Sequence, residues 1–337
     1  MDKKRILITG ASGFIGSTIS DRALELGYET WAGIRSGSSL RYLQDQRLRL
    51  IDIHYDNPEK LTQQMGELVA QHGPFDAVIH VAGLTKARRK EDFDRVNYHH
   101  TRHLVESLRA AGALTGTFVL LSSLSVMGAG DEQGYAPFSE ASEPHPNTAY
   151  GKSKLKAEQY LKALDNFPWL IVRPTGVYGP RDRDYLILMK AVRSGLDVGA
   201  GFRQQRLTFI HSQDLSEVIF KLLDKGTRNR SFIVSDGDSY TDSAFNAIVK
   251  EVLGKKRVIR LKLPLWLVKP AALLSGKVAA VMGRTATFNS DKYLIMKQRN
   301  WLCDVTPLRD EIGFTPRWRL KEGVAMTVAW YRKEGWL

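Results

Sequence analysis

The sequence predicts an α/β fold, a doubly wound parallel sheet with a second, smaller and less regular C-terminal domain. Short apolar runs that read as buried strands alternate with segments of helical period through the first half of the chain. The first of these runs ends in a glycine cluster where a helix opens. At 337 residues, 43% hydrophobic and 25% charged, the chain has the composition of a globular protein with a sizeable core.

Lys4 to Thr9 is a short apolar run entering glycines, so it reads as a buried parallel strand. Phe14 to Leu26 follows as a helix that Gly27 stops. Further strands are expected at Glu29 to Ile34, Leu48 to Ile53, Ala77 to Val81, Phe118 to Ser122, Trp169 to Val172 and Ser231 to Val234. Helices are expected between them at Pro58 to His72, Arg95 to Ala111 and Tyr150 to Leu164, and later at Tyr185 to Ser194 and Asp214 to Leu223. The rhythm loosens after Pro174, and from Gly254 the chain turns basic, apolar and proline-containing.

A single cysteine, Cys303, excludes an internal disulfide framework and a cysteine zinc cage. His99 and His103 share a helix face without an evident third ligand, so no metal is expected. The apolar residues after Arg5 are cut short by Thr9-Gly10, which leaves no room for a signal-peptide core. The stretch Leu263 to Met282 is interrupted by Pro264, Lys269, Pro270 and Lys277 and does not read as a membrane span. The expected address is cytoplasmic.

Gly10-Ala11-Ser12-Gly13-Phe14-Ile15-Gly16 sets three glycines at a strand-to-helix junction. A pyrophosphate needs such a tight turn, with close backbone approach and the free N–H groups of a helix N-terminus. Cofactor choice is read at the end of the second strand, where a carboxylate binds a ribose 2′-hydroxyl and an arginine accommodates a 2′-phosphate. Gly33-Ile34-Arg35-Ser36 carries no carboxylate and does carry Arg35. NADP(H) is therefore favoured over NAD(H), which stays open.

Tyr150 and Lys154 stand four residues apart at a helix start, on one face. A free phenol with a pKa near ~10 is a poor base at neutral pH, and a nearby ammonium is expected to lower it. A phenol so tuned exchanges a proton with a carbonyl oxygen or an alcohol while a hydride moves. The strand Phe118 to Leu121 ends in Ser122-Ser123, where a hydroxyl can bond the substrate oxygen, and Asn97 can bond backbone or water.

Gly10 to Gly16, Val78 to Gly83, Val96-Asn97, Ser122 to Gly128, Tyr150-x-x-x-Lys154 and Arg173 to Pro180, in this order, resemble the extended short-chain dehydrogenase/reductase superfamily, which has a Rossmann fold. The resemblance implies a nicotinamide-dependent enzyme with Tyr150 as acid/base and Lys154 as its ribose-binding partner. It also implies Ser123 as the substrate-polarising hydroxyl and Asn97 as support for a proton relay. By the same resemblance the cofactor would touch Gly10, Ser12, Gly13, Phe14, Ile15, Gly16, Arg35, Ala82, Gly83, Lys154 and Val177. Phe209 to Leu215 resembles the segment that returns toward the cofactor domain, so the resemblance implies a smaller, interleaved C-terminal α+β substrate domain. Residues 1–174 plus about 208–235 would form the dinucleotide-binding domain, and residues 175–207 plus 236–337 the substrate domain.

Two departures set the branch. Nucleotide-sugar epimerases commonly carry asparagine where this chain has Gly176, and an arginine nearer Phe209 than Arg206. By contrast Gly27 to Arg35 resembles dihydroflavonol reductases, and Asn300 to Val305, Gly313 to Pro316 and Ala329 to Tyr331 resemble the 3β-hydroxysteroid dehydrogenase-like tail. A third strand ending in Asp plus an apolar residue flanks adenine in relatives, and His54-Tyr55 is read at those places. The expected activity interconverts a ketone and a secondary alcohol on a small, largely apolar molecule. The alternatives are a nucleotide-sugar epimerase or dehydratase, and a non-catalytic NADP-binding regulator.

Lys and Arg outnumber Asp and Glu by 49 to 36, for a net charge of +13. Residues 254–284 hold eight basic side chains and no acidic one. No nucleic-acid reading motif accompanies the charge, so no nucleic-acid partner is expected. A small-molecule substrate is expected, a homodimer is allowed, and peripheral membrane contact is admitted but not favoured. Leu263, Leu265, Trp266 and Leu267 are expected at a pocket mouth. Ordinary core packing, a substrate-side lid and docking on an anionic membrane are the competing readings there, with the lid taken for Trp266 itself. Pro264 and Pro270 are expected to leave Ala271 to Met282 as the helix, with Leu274, Val278 and Val281 on one face and Lys277 at its margin.

Overall fold

The computed structural model describes residues 3–282, 286 and 288–337. Six strands form in the first half: β1 (Arg5–Thr9), β2 (Glu29–Ile34), β3 (Arg49–Asp52), β4 (Phe75–His80), β5 (Leu114–Leu121) and β6 (Trp169–Pro174). The short strands β7 (Gly176–Tyr178), β8 (Leu196–Ala200), β9 (Arg206–Leu207) and β10 (Phe209–His211) follow, then β11 (Arg230–Val234), β12 (Tyr240–Thr241) and β13 (Ile259–Leu263). Seven of them make one sheet in the order β11-β6-β5-β4-β1-β2-β3, and every pair in it is parallel. Its central strands are apolar on both faces, because helices cover both.

The helices are α1 (Phe14–Glu25), α2 (Pro58–His72), the short α3 (Glu91–Phe93), α4 (His100–Ala110), α5 (Ala149–Lys162), α6 (Asp184–Arg193), α7 (Ser212–Asp224) and α8 (Asp242–Val252). They continue with α9 (Leu265–Val281), α10 (Ser290–Lys297), α11 (Thr306–Ile312) and α12 (Leu320–Lys333). Asn57 caps α2 by accepting the Lys60 N–H, and Pro58 stands at its first turn, so the start read from sequence is the start observed. Thr148 caps α5 through the Gly151 N–H and so fixes where Tyr150 sits.

Two expected helices differ. Arg95 to Ala111 is not one α-helix: residues Asp94–His99 form a π-helical turn between α3 and α4. Such wide turns re-aim a side chain, here Asn97. α9 runs unbroken through Pro270 instead of starting after it. The proline ring is exposed, and the Trp266 carbonyl that loses its partner lies on an exposed turn where water can bond it. The Lys277 and Val281 side chains lie outside the described residues.

Beyond the sheet, β7 pairs with β10 and β8 with β13, both parallel, and β9 pairs with β12 antiparallel. A separate apolar cluster forms around Tyr178, Phe209, Phe245, Val324 and Tyr331, joining α6, α8 and α12.

Candidate active site

One cleft of about 1500 Å³ opens over the carboxyl ends of the sheet strands. The glycine turn between β1 and α1 walls one part of it: Gly10, Ser12, Gly13, Phe14, Ile15 and Gly16 all line it. A Cβ on Gly16 would collide with the Gly10 carbonyl, so the helix packs on the turn only because residue 16 has none. No side chain caps α1, which leaves its first N–H groups for an anion. The residues present fit a dinucleotide pyrophosphate.

Ala82 and Gly83 line the cleft after β4, and Val177 lines it on β7. Arg35 lies exposed in its wall with Ser38, Ser39, Arg41 and Tyr42. Tyr55 also lines it, stacked on His100 at 5.0 Å between ring centroids and 8° between planes. Spacing could not have found Arg41, Tyr42 or the Tyr55–His100 stack, because all lie in loops or in contacts between distant segments. One register reading is corrected: β3 ends at Asp52 and is followed by buried Ile53, so the Asp–apolar pair is present two residues before His54-Tyr55. Asp52 accepts the Ser36 N–H at 2.9 Å beside Arg35.

Ser123, Tyr150 and Lys154 converge in the same cleft. Ser123 caps the start of the short 3-10 turn after β5, where its hydroxyl accepts the Ser125 N–H at 3.1 Å. Burial pushes the Tyr150 hydroxyl above the usual phenol range, while a hydrogen bond with Ser123 pulls it down. That direction is the reverse of the lowering expected from sequence. Lys154 is buried, donates to the Leu121 carbonyl at 2.8 Å, and is drawn down to about 8 by burial, which the Glu158 carboxylate opposes. Its ammonium is thus held by the end of β5, and the Ser123 contact is the one that acts on the phenol.

Asn97 is fully buried and does not line the cleft. Its Oδ1 accepts the Leu84 N–H at 2.7 Å, and its Nδ2 donates to the Leu84 carbonyl at 3.0 Å and to Ser153 Oγ at 2.9 Å. A Cβ at Gly83 would stand 2.9 Å from Asn97 Oδ1 and 3.2 Å from Lys154 Nζ. The loop after β4, the π turn and α5 therefore meet where residue 83 has no side chain.

The remainder of the cleft is mostly apolar, with Ile187 and Leu188 from α6, Leu267 and Val268 from α9, and Ile295 and Met296 from α10. Leu263 lines it as expected, whereas Leu265 and Trp266 do not, and Trp266 is 72% exposed. With Val268 and Ala272 turned inward to bury α9, Trp266 falls on the outer side of the helix. Burial raises the Cys303 thiol to about 11, so it is not a ready nucleophile.

The sequence pattern of the NAD dependent epimerase/dehydratase family matches residues 6–235. This chain belongs to that family. It is an enzyme of the extended short-chain dehydrogenase/reductase superfamily, built to work with a nicotinamide dinucleotide. It is 28% identical to a ceramide reductase of Caulobacter vibrioides across 98% of this chain and 96% of that one. A UDP-glucose 4-epimerase of Vibrio cholerae is 27% identical over 96% of this chain and 94% of its own. In fold the chain is similar to the NAD complex of dTDP-glucose 4,6-dehydratase from Bacillus anthracis, with a TM-score of 0.77, 19% identity and coverage of 99% and 98%.

Proposed function

We propose that this enzyme interconverts a ketone and a secondary alcohol on a largely apolar, amphiphilic substrate, with NADP(H) as the favoured cofactor. The observation that carries the proposal is a single cleft walled by the glycine turn, by Ser123 and Tyr150, and by apolar side chains of α6, α9 and α10. A bound nicotinamide supplies or accepts the hydride. The Tyr150 hydroxyl gives a proton to the carbonyl oxygen or takes one from the alcohol. Ser123 donates a hydrogen bond to that oxygen. Lys154 holds the cofactor ribose from its seat on the Leu121 carbonyl, and the Ser123 hydroxyl steadies the tyrosinate when the proton leaves. Asn97 is a positioning residue, fixing the Leu84 backbone next to Gly83, which packs against Lys154.

Cofactor choice rests on Arg35, which lines the cleft just after β2, a strand whose own end carries no carboxylate. Two buried acceptors in the cleft, Thr175 Oγ1 and Asn246 Oδ1, have no partner among the described residues and suit hydroxyl or amide groups on an apolar body. The similarity to a ceramide reductase supports the same substrate class. Against a sugar nucleotide, the space a side chain at Gly176 would take is filled by the Tyr185 hydroxyl and the Phe209 ring, so an asparagine has no room there.

The test is purified protein with NADPH offered a ketosteroid, a dihydroflavonol, a long-chain N-acyl amino-ketone and UDP-glucose. Cofactor oxidation with an apolar ketone, lost in Tyr150→Phe while NADPH still binds, is the expected outcome. Turnover of the nucleotide sugar alone would defeat the proposal.

A further inference from the structure

The ribbon of β8 and β13 is patterned inside out. In its parallel register Leu196 pairs with Ile259 and Val198 with Leu261, so four apolar side chains share one face. That face is open: Ile259 is 70% exposed, and Leu196, Val198 and Leu261 are each more than two-fifths exposed. Asp197, on the other face, is buried against Asn246 and Arg260. A ribbon bathed in water on that side would carry the reverse alternation.

The helix that follows β13 continues the pattern. α9 has no acidic residue and is apolar nearly all round, yet only Val268 and Ala272 are fully covered among its described side chains. Trp266, Leu273, Leu274 and Val278 face outward, with Met282 just beyond the helix. Patches of this extent on a soluble protein mark a docking surface. The same surface borders the cleft mouth, because Ile187, Leu196, Val198 and Leu267 are all well exposed and all line the cleft.

Charge identifies the occupant. Residues 254–284 carry eight Lys and Arg and no Asp or Glu, and Lys255, Lys256, Arg257 and Lys269 are exposed around the apolar face. Two copies of this face would bring like charges together, whereas an anionic bilayer offers apolar depth ringed by phosphates. Among the described residues no helix is long and apolar enough to cross a membrane, so the mode is to lie on the surface.

We infer that the outer faces of the β8–β13 ribbon and of α9 seat this enzyme on an anionic lipid surface, with its cleft opening into the lipid. An apolar molecule would then enter the cleft past Leu267 and Val198 without crossing water.

The test is co-sedimentation of the full chain with vesicles of phosphatidylcholine alone or mixed with phosphatidylglycerol, which is independent of any catalytic assay. The mixed vesicles should carry the protein down and phosphatidylcholine alone should not. Ile259→Asp with Leu274→Asp should weaken binding by on the order of tenfold or more, with the thermal midpoint unchanged because both positions are exposed. A second variant, Lys255→Glu with Lys256→Glu, alters only an exposed turn and should weaken binding to the mixed vesicles similarly. Wild-type protein left in the supernatant with both vesicles overturns the inference. So does a vesicle-free dimer in sedimentation velocity that the Asp variant converts to monomer, since the face would then cover a second copy.

Discussion

Arg173 on β6 and Glu158 on α5 form an ion pair in the protein interior, 2.5 Å apart at closest approach, with side-chain exposures of 2% and 0%. Glu158 also accepts the Ser122 hydroxyl at 2.5 Å, and it lies one helical turn beyond Lys154. Glu158 thus ties β6 through Arg173, and the chain leaving β5 through Ser122 beside Ser123, to the helix that carries Tyr150 and Lys154. Burying two charges is costly, so such a pair adds little net stability over an apolar one, but its half-removal strands a charge.

Glu158→Gln should therefore destabilise the fold by about 3–5 kcal/mol, because Arg173 keeps its charge in the interior without a counterion. Urea denaturation of the two proteins at neutral pH measures it. A loss below about 1 kcal/mol would mean that the interior admits water to the guanidinium.

Gly83→Ala should cut kcat at least tenfold with folding largely retained. The added Cβ presses on Asn97 Oδ1 and Lys154 Nζ, neither of which can move without losing its bond to Leu84 or to the Leu121 carbonyl. Steady-state kinetics beside a thermal melt separates this from global unfolding. Wild-type kinetics would show that the ammonium has freedom the packing does not suggest.

Arg35→Ala should weaken NADPH binding by about 2 kcal/mol and leave NADH nearly unchanged, since only a 2′-phosphate makes a charge-assisted contact with the guanidinium. Fluorescence titration with both cofactors gives the comparison. Equal affinities in the unaltered protein would remove the case for NADP(H).

Stability should fall as the solution is acidified below about pH 6.5. Burial lowers both His80 and His211 to about 3. The unfolded chain then takes up these protons first as pH drops, so the stability contributed by keeping both rings neutral is intact above the ordinary histidine value. It is lost progressively down to about 3. His80 is held between Thr9 at 2.8 Å and Thr101 at 3.0 Å, which locks the ring under the glycine turn. Urea midpoints at pH 7 and pH 5 should differ, and His211→Gln should reduce the difference.

What the sequence determined by itself was whatever depends on neighbours along the chain. The seven sheet strands, the glycine turn at Gly10–Gly16, the start of α2 at Pro58 and the shared face of Tyr150 and Lys154 follow from local period and spacing. The tertiary structure decided what depends on segments far apart. It turned Asn97 into a π turn to meet Leu84, stacked Tyr55 on His100, and set the phenol of Tyr150 by burial and by Ser123. It also decided which way α9 faces. That helix is apolar nearly all round, so the face read through Leu274 and Val278 does not say which side turns inward, and only packing at Val268 and Ala272 sends Trp266 outward instead of into the cleft.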